Sequence, residues 1–416
     1  MPSVEGLAPR RAALQMLDAV LRRGQTLEAA SARIRGLSPA DFGLALAVAG
    51  ETLRRIPDLD ALIDSATRQR LPDDSKARMV LRLALAQKIA LHTPEHALVS
   101  TALPLVEGGP RKLVHGVLGT LLRRGLPLLD VPRLPSAVEQ RWKAAWGEEI
   151  LEAARRQIAS RPALDLTFAD EDEAQAYAVE HHGVSLASKH VRLASSPVTE
   201  LAGYESGRWW VQDLGASLSA RLISHDARNV LDLCAAPGGK TMQLAAAGHE
   251  VTAVDSSENR LGRLRENLER THLDAKFITA DALTWKPDTE FDAILLDAPC
   301  SATGTFRRHP EVLYRARPSI IAANAELQAR LLDRAAQWLK PRGALVYSVC
   351  SLEPEEGEKV VRAFLDRSRG FQIDPPQELP VFVPVSGEGW VRILPGLLES
   401  DGGIDGFFMA RLVRRG

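Results

Sequence analysis

The stretch Asn229 to Thr241, NVLDLCAAPGGKT, constrains the fold more than any other part of the chain. An apolar run carrying an acid leads into a short loop with two glycines, and a lysine and a threonine then open a helix. This is how the first strand, loop and helix of a nucleotide-binding α/β domain read. Gly238 and Gly239 are expected to let the backbone pass close to a ligand, because a side chain at either would occupy the ligand's space. The N–H groups of the first helical turn suit an anionic or carboxylate-bearing group. Two common alternatives fail on the residues themselves. Gly239-Lys240-Thr241 ends like G-x-x-x-x-G-K-[ST], but the first glycine of that pattern falls on Cys234, and G-x-G-x-x-G is missing. A smaller nucleoside cofactor, such as one derived from methionine, fits better than a triphosphate or a dinucleotide.

Downstream the alternation is regular. Strands are expected over Glu250 to Val254, ending at Asp255; over Lys276 to Thr279, ending near Asp281; and over Asp292 to Leu296, ending at Asp297. A fifth, Ala344 to Tyr347, follows a long helix terminated by Pro341-Arg342-Gly343. Strands separated by helices give an α/β, doubly wound, Rossmann-like sheet that binds ligands outside the carboxyl ends of its strands. Asp255, Asp281 and Asp297 all fall at such ends, as do the three cysteines, Cys234, Cys300 and Cys350. Asp255 lies roughly 20 residues past the first loop, where such domains place the acid that takes ribose hydroxyls, and Asp281 where an acid could accept from an adenine amino group. The bland alternative for both is a loop-capping aspartate.

At 416 residues the chain is too long for one ordinary core, so two or three domains are expected. Residues 1–125 read as helices only. Leu14, Leu17, Val20 and Leu21 recur at helical spacing, Ser38-Pro39 is an N-cap followed by proline, and Asp73 to Leu91 is a further amphipathic run. A bundle of about five to seven helices follows. The pairs Arg10-Arg11, Arg22-Arg23, Arg54-Arg55 and Arg123-Arg124 are either a solvated face or an RNA-facing surface. Residues 126–136 are a proline-bearing linker. Residues 137–215 form a helical and small α/β subdomain: a helix from Ala137 to Ile158 with Trp142 and Trp146 on one buried face, then strands Leu164 to Phe168 and His190 to Leu193 around a helix near Glu173 to Val179. Trp209 to Asp213 leads into a helix that ends just before the central strand, and residues 216–416 form the catalytic domain.

The net charge of -1 gives no overall pull towards nucleic acid, so any such binding comes from local patches. Three cysteines argue for a reducing compartment. No bilayer-length apolar run or signal pattern occurs, and the cytoplasm and a monomer are the expectations. A metal site is disfavoured, since no Cys-x-x-Cys or clustered histidine spacing exists.

Cys300 and Cys350 at strand ends of the cofactor sheet suggest covalent chemistry. Carbon 5 of cytosine is a poor nucleophile, but thiolate addition at carbon 6 turns it into an enamine-like centre that attacks an electrophilic methyl group. Cysteine suits that step because it is already a few per cent thiolate at neutral pH. An acid such as Asp297 could hydrogen-bond the ring, and a second polar or thiol group would help release. The alternative for each cysteine is a small buried hydrophobe, which is the reading favoured for Cys234.

Five segments carry a resemblance: Asp232 to Thr241 (DLCAAPGGKT), Asp297 to Gly304 (DAPCSATG), Arg307 to Pro310 (RRHP), Tyr347 to Glu356 (YSVCSLEPEE) and Asp405 to Ala410 (DGFFMA). Together they resemble the motif series of the Sun/RsmB/NSUN RNA cytosine-5 methyltransferases, and the helical N-terminal part resembles the NusB-like domain of the RsmB branch. The resemblance implies S-adenosylmethionine as methyl donor and cytidine in ribosomal RNA, most readily the small-subunit RNA, as substrate. It implies Cys350 as the nucleophile and Cys300 as the group that assists proton removal or release. Cys234, Ala235, Ala236, Pro237, Gly238, Gly239 and Lys240 would line the cofactor, with Asp255 on the ribose, Asp281 near the adenine and Asp297 close to the methionine end and the target base. Lys240 would serve both cofactor and base. Pro-Cys-Ser at Cys300 differs from the Pro-Cys-Gln of the DNA enzymes. Thr305-Phe306 and Leu313-Tyr314 depart from the family pattern around Arg307, Arg308 and His309, which would hold phosphates or pin the loop. Transfer RNA as substrate, or a non-catalytic RNA-binding assembly role, stay open, and the target nucleotide is not legible.

Overall fold

The computed structural model describes residues 6–126, 130–160, 162–194 and 198–415. It divides into two compact units, Met1–Ser160 with Phe306–Arg315, and Arg161–Thr305 with Ala316–Gly416. The helices expected to share a subdomain with the small sheet fall in the first unit, and the sheet itself in the second. Of the expected linker, Pro127, Leu128 and Leu129 lie outside the described residues.

The first unit is helical. Six α-helices among the described residues of its first part, Leu7–Leu21, Leu27–Ser31, Pro39–Ser65, Lys76–Ala90, Glu95–Ala102 and Gly109–Arg124, build one core. Ser38 caps the third helix by accepting from the Asp41 amide, with Pro39 at its first position. Helix Lys76–Ala90, expected to be amphipathic, is buried on all sides from Ala77 to Gln87 because the other helices surround it. Its two buried arginines face acids of the third helix: Arg82 makes a fork of two 2.7 Å bonds to Asp60, and Arg78 lies 2.9 Å from Asp60 and also bonds Asp64. Arg10 is likewise no surface residue, since it is buried and donates to Gln87 over 2.8 Å. Arg22 and Arg23 do lie exposed, paired with Asp18.

The single helix expected over Ala137 to Ile158 is two, Ser136–Trp146 and Glu148–Ala159, because Gly147 between them takes φ 86°, a left-handed value outside the helical range. Trp142 is fully buried and Trp146 only partly. Trp142 meets Phe306 edge to face at 5.2 Å. Tyr314 donates to the Leu53 carbonyl over 2.8 Å, and Leu27 N–H to Glu311 over 3.1 Å. Residues 306–315, which the sequence places between two strands of the catalytic sheet, are thus built into the helical unit. The departures Phe306 and Tyr314 are packing residues there.

In the second unit, β1 (Leu164–Phe168), β2 (His190–Leu193) and β3 (Trp209–Val211) form a small antiparallel sheet in the order β2-β1-β3, with helix Glu171–Glu180 packed through Tyr177 on Phe168 and Trp209. The large sheet contains β4 (Asn229–Leu233), β5 (Glu250–Asp255), β6 (Lys276–Thr279), β7 (Phe291–Asp297), β8 (Leu339–Val349), β9 (Phe371–Ile373), β10 (Val391–Ile393) and β11 (Phe407–Arg414). Its order is β10-β11-β8-β7-β4-β5-β6, parallel from β8 through β6, with β11 antiparallel between β8 and β10 and β9 paired to β11. Successive residues go to opposite cores: Ile294, Leu296, Leu345 and Tyr347 to one, Ala293, Leu295 and Val346 to the other. Both faces are covered, which is why these strands read as continuous apolar runs.

Two expectations about the ends of elements are corrected. The long helix stops at Ala336, and Pro341-Arg342-Gly343 lies inside β8, where a register shift opposite Phe291 and Ala293 absorbs it. Pairing with β7 starts already at Leu339, which takes that backbone out of the helix. Before β4, helix Leu214–Leu218 ends well short of the strand, and one turn of 3-10 helix, Ala220–Leu222, follows it.

The packing of residue 306 makes a prediction. Phe306→Ala should cost about 3–5 kcal/mol, read as a lower urea midpoint for the helical unit. An unchanged midpoint would contradict the burial described.

Candidate active site

The chain runs out from β4 along β5 and β6, then returns to the other side of β4 to form β7 and β8. The crevice of such a sheet lies where the order reverses, between the carboxyl ends of β4 and β7. The loops after β4, β7 and β8 carry Cys234 to Lys240, Asp297 to Gly304, and Cys350 to Glu356.

The β4 loop is held from below. The Ala235 amide donates to the Val254 carbonyl over 3.1 Å and the Ala236 amide to Asp255 over 3.3 Å, while Arg260 lies 3.4 Å from the same carboxylate. Cys234 takes φ 62°, left-handed for a non-glycine residue. Burial, followed by the charges of Asp255 and Asp297, pushes its thiol up to about 12, so it is no nucleophile. Gly238 is required by the backbone conformation itself. It takes φ 110°, and a Cβ there would lie 1.9 Å from the Leu264 side chain. A Cβ on Gly239 would press on Gln212 at 3.3 Å. The helix opening here, Gly239–Ala246, has no side-chain cap at its amino end. An anionic ligand group can supply what a cap would have supplied.

Asp255 and Asp281 both do the work of loop caps. Asp255 is buried, accepting from Ala236 and Ser257; Asp281 is exposed and accepts from the Leu283 amide over 2.9 Å. Each oxygen has two lone pairs, so capping leaves acceptor capacity for a nucleoside.

Asp297 is the junction of the site. One oxygen accepts from Lys240 Nζ over 2.7 Å and the other from Ser348 Oγ over 2.8 Å. Burial works against the ammonium of Lys240, and the Asp297 carboxylate, then Cys350 and Asp232, outweigh it; the lysine pKa is raised and its charge kept. The Phe407 ring lies beneath the same ammonium at 5.5 Å.

Cys300 and Cys350 meet with their sulfurs 3.4 Å apart. The Cys300 thiol is pushed well above the ordinary range, first by its hydrogen bond to Cys350 and then by burial. The loops are sewn together by Gly304 N–H donating to the Cys350 carbonyl at 3.0 Å and Gly406 N–H to the Gly304 carbonyl at 2.9 Å. A Cβ on Gly304 would lie 1.9 Å from the Gly406 carbonyl oxygen, so only glycine fits.

The structure therefore gathers Lys240, Asp297, Cys300 and Cys350. Arg307 is fully buried and falls within the helical unit. Arg308 is half-buried and His309 exposed in the same segment. Sequence reasoning missed Ser348, Phe407 and Glu356. It also gave no role to Asp232, which is wholly buried, accepts from Thr241 Oγ1 over 2.6 Å, and leaves Oδ1 without a partner. The hydrophobic run around Asp232 was the available signal. Among the described residues no helix is long and apolar enough to cross a membrane, and no cluster of three His, Cys, Asp or Glu is placed to hold a metal.

Comparisons with known proteins find relatives along nearly the whole chain. The family described as 16S rRNA methyltransferase RsmB/F matches residues 220–413, and the NusB family matches residues 7–123. A ribosomal RNA small subunit methyltransferase B of Erwinia tasmaniensis is 33% identical, with 97% of this chain and 98% of that protein covered. Its counterpart in Xanthomonas campestris pv. campestris is 34% identical, with 98% of each covered. A crystal structure of a methyltransferase homolog protein from Pyrococcus horikoshii superimposes with a TM-score of 0.56 at 28% identity, over 71% of this chain and 98% of its own.

Burial raises the Asp232 carboxyl from 3.8 to about 7. The folded state therefore holds a proton that the unfolded chain gives up, and stability falls as pH rises between those two values. Asp232→Asn removes this titration and keeps an acceptor for Thr241. The stability of the wild type relative to the variant should decline between about pH 4 and pH 7. A difference that stays flat in thermal unfolding across this range would contradict the assignment.

Proposed function

Because this chain belongs to the 16S rRNA methyltransferase RsmB/F family, we propose that it methylates carbon 5 of a cytidine in small-subunit ribosomal RNA through a covalent Cys350 adduct. Membership makes it an S-adenosylmethionine-dependent RNA methyltransferase, and that donor supplies an electrophilic methyl group. The residues present suit the donor: the uncapped amino end of helix Gly239–Ala246 suits its carboxylate, and Asp255 and Asp281 suit its ribose and adenine. The observation that carries the reading is the meeting of Cys300 and Cys350 at 3.4 Å beside the Lys240–Asp297 pair.

The roles follow from what each group can hold. Cys350 Sγ, as thiolate, would add to carbon 6 of the cytosine, and the electron pair gained at carbon 5 would take the donor's methyl carbon as its bond to the sulfonium sulfur breaks. Lys240 lies close enough to Cys350 for the sulfur's charge to raise the lysine pKa, which keeps an ammonium beside the reacting sulfur. Asp297, fixed at both oxygens, is oriented to bond the polar edge of the ring. Carbon 5 then loses its proton, assisted by Cys300, and the carbon 6 to sulfur bond breaks to return Cys350 as thiolate. The target base must leave its stack, which costs a few kcal/mol and less in an unpaired loop.

Cys350→Ala should abolish methyl transfer and leave cofactor binding intact. Cys300→Ala should let the first bond form and accumulate a protein–RNA adduct stable to denaturing electrophoresis; normal turnover in that variant would remove its release role. Bisulfite sequencing of ribosomal and transfer RNA from cells with and without the chain identifies the substrate. The expected result is loss of one mark in the small-subunit RNA. Loss confined to transfer RNA would overturn the substrate and keep the chemistry, and no loss would overturn both.

A further inference from the structure

Ser301 follows Cys300 and Ser351 follows Cys350, and both serines turn to the same buried carboxylate. Glu356, fully buried, accepts at Oε1 from the Ser301 amide over 2.9 Å and from Asn324 Nδ2 over 3.0 Å. At Oε2 it accepts from Ser301 Oγ over 2.5 Å and from Ser351 Oγ. A carboxylate removed from water needs such a set of donors, and one with four is held tightly in place. Its backbone is fixed as well, since Tyr347 of β8 donates its hydroxyl to the Glu356 carbonyl over 2.6 Å. On the next residue, Gly357, a Cβ would meet Arg392 at 2.5 Å and Phe408 at 2.8 Å. Arg392 in turn donates to the Ser351 carbonyl over 2.5 Å.

We propose that Glu356 is the positioning residue for both cysteines: by gathering Ser301 and Ser351 onto one carboxylate it sets the distance at which the sulfurs of Cys300 and Cys350 meet. This rests on the reading that these cysteines carry the reaction. Glu356 acts through the residue beside each sulfur, Ser301 and Ser351. Thr303 reinforces the same seam, accepting from the Leu352 amide over 3.0 Å. Hydrogen-bonding capacity, not charge, is what the role demands. A glutamine could keep it, with its oxygen accepting from the Ser301 amide and Asn324 and its amide donating to the two hydroxyl oxygens once their protons turn away.

The test uses the full chain and two readouts. The first is independent of methyl transfer: diamide, a thiol-specific oxidant, should link Cys300 to Cys350, measured by mass spectrometry without RNA or cofactor. Linkage should proceed in the wild type and in Glu356→Gln, and fall about tenfold in Glu356→Ala, as it should if the sulfurs lose their near-attack geometry. The second is kinetic. Glu356→Ala should lower kcat by about 100-fold, the scale of an ångström's misplacement, with KM for S-adenosylmethionine unchanged, and Glu356→Gln should restore most of it. Should Glu356→Ala not fold, Ser351→Ala, which removes one arm of the clamp, should show the same pattern more weakly. Equal loss in the glutamine and alanine variants would show that charge matters and overturn the proposal. So would undiminished linkage in Glu356→Ala and Ser351→Ala, or no linkage in the wild type. If the chain methylates no ribosomal RNA, the linkage readout still decides whether Glu356 sets the sulfur distance.

Discussion

One carboxylate ties together the ends of three parallel strands. Asp297 closes β7, and its two oxygens take Lys240 from the helix after β4 and Ser348 from the end of β8. Register makes this possible: Asp297 lies opposite Ser348 in the β7–β8 ladder, and the β4–β7 ladder ends at Leu233 and Leu296, so the loops leave the sheet at one level. Lys240 is buried and Asp297 only partly so, and the hydrogen-bonded pair offsets the cost of taking the ammonium out of water. Neutralising Lys240 would leave the Asp297 charge unpaired near Asp232 and Cys234, so the pair also sets the electrostatics of the cofactor loop.

What was legible in the sequence is what local pattern controls. The parallel strands are apolar runs that stop at Asp255, Thr279 and Asp297, and their spacing dictates a mostly parallel sheet. The helical bundle was legible through caps such as Ser38. The errors fall where distant chain decides. Pro341-Arg342-Gly343 reads as a helix terminator, yet the β7 partner draws it into β8 as a bulge. The short strands β9, β10 and β11 were not foreseen, because their pairing with one another and with β8 gives them their structure. The packing of Gly238 against Leu264 was not foreseen either, since the two lie far apart in sequence. For the site, the cysteines and Asp297 could be picked out by type and position. Glu356 could not, because its partners Ser301 and Asn324 come from elements far along the chain.

The segment 306–315 shows a related limit. Its sequence interrupts the catalytic alternation between β7 and β8, and the residues that depart from the family pattern there, Phe306 and Tyr314, pack onto Trp142 and Leu53. Covalent continuity does the rest. Gly304, bonded to the Cys350 carbonyl, lies two residues before Phe306, so the loop that carries Cys300 runs directly into chain whose structure is set by the helical unit's core.

The division of labour between the cysteines follows from the same closeness. The sulfurs of Cys300 and Cys350 lie 3.4 Å apart, close enough for a hydrogen bond between them. The hydrogen bond to Cys350 and the burial of Cys300 both act to keep the proton on Cys300. The Cys350 sulfur is among the groups whose charge raises the Lys240 pKa. Cys300 is thus the half of the pair held as a thiol, and Cys350 the half that adjoins the Lys240–Asp297 pair.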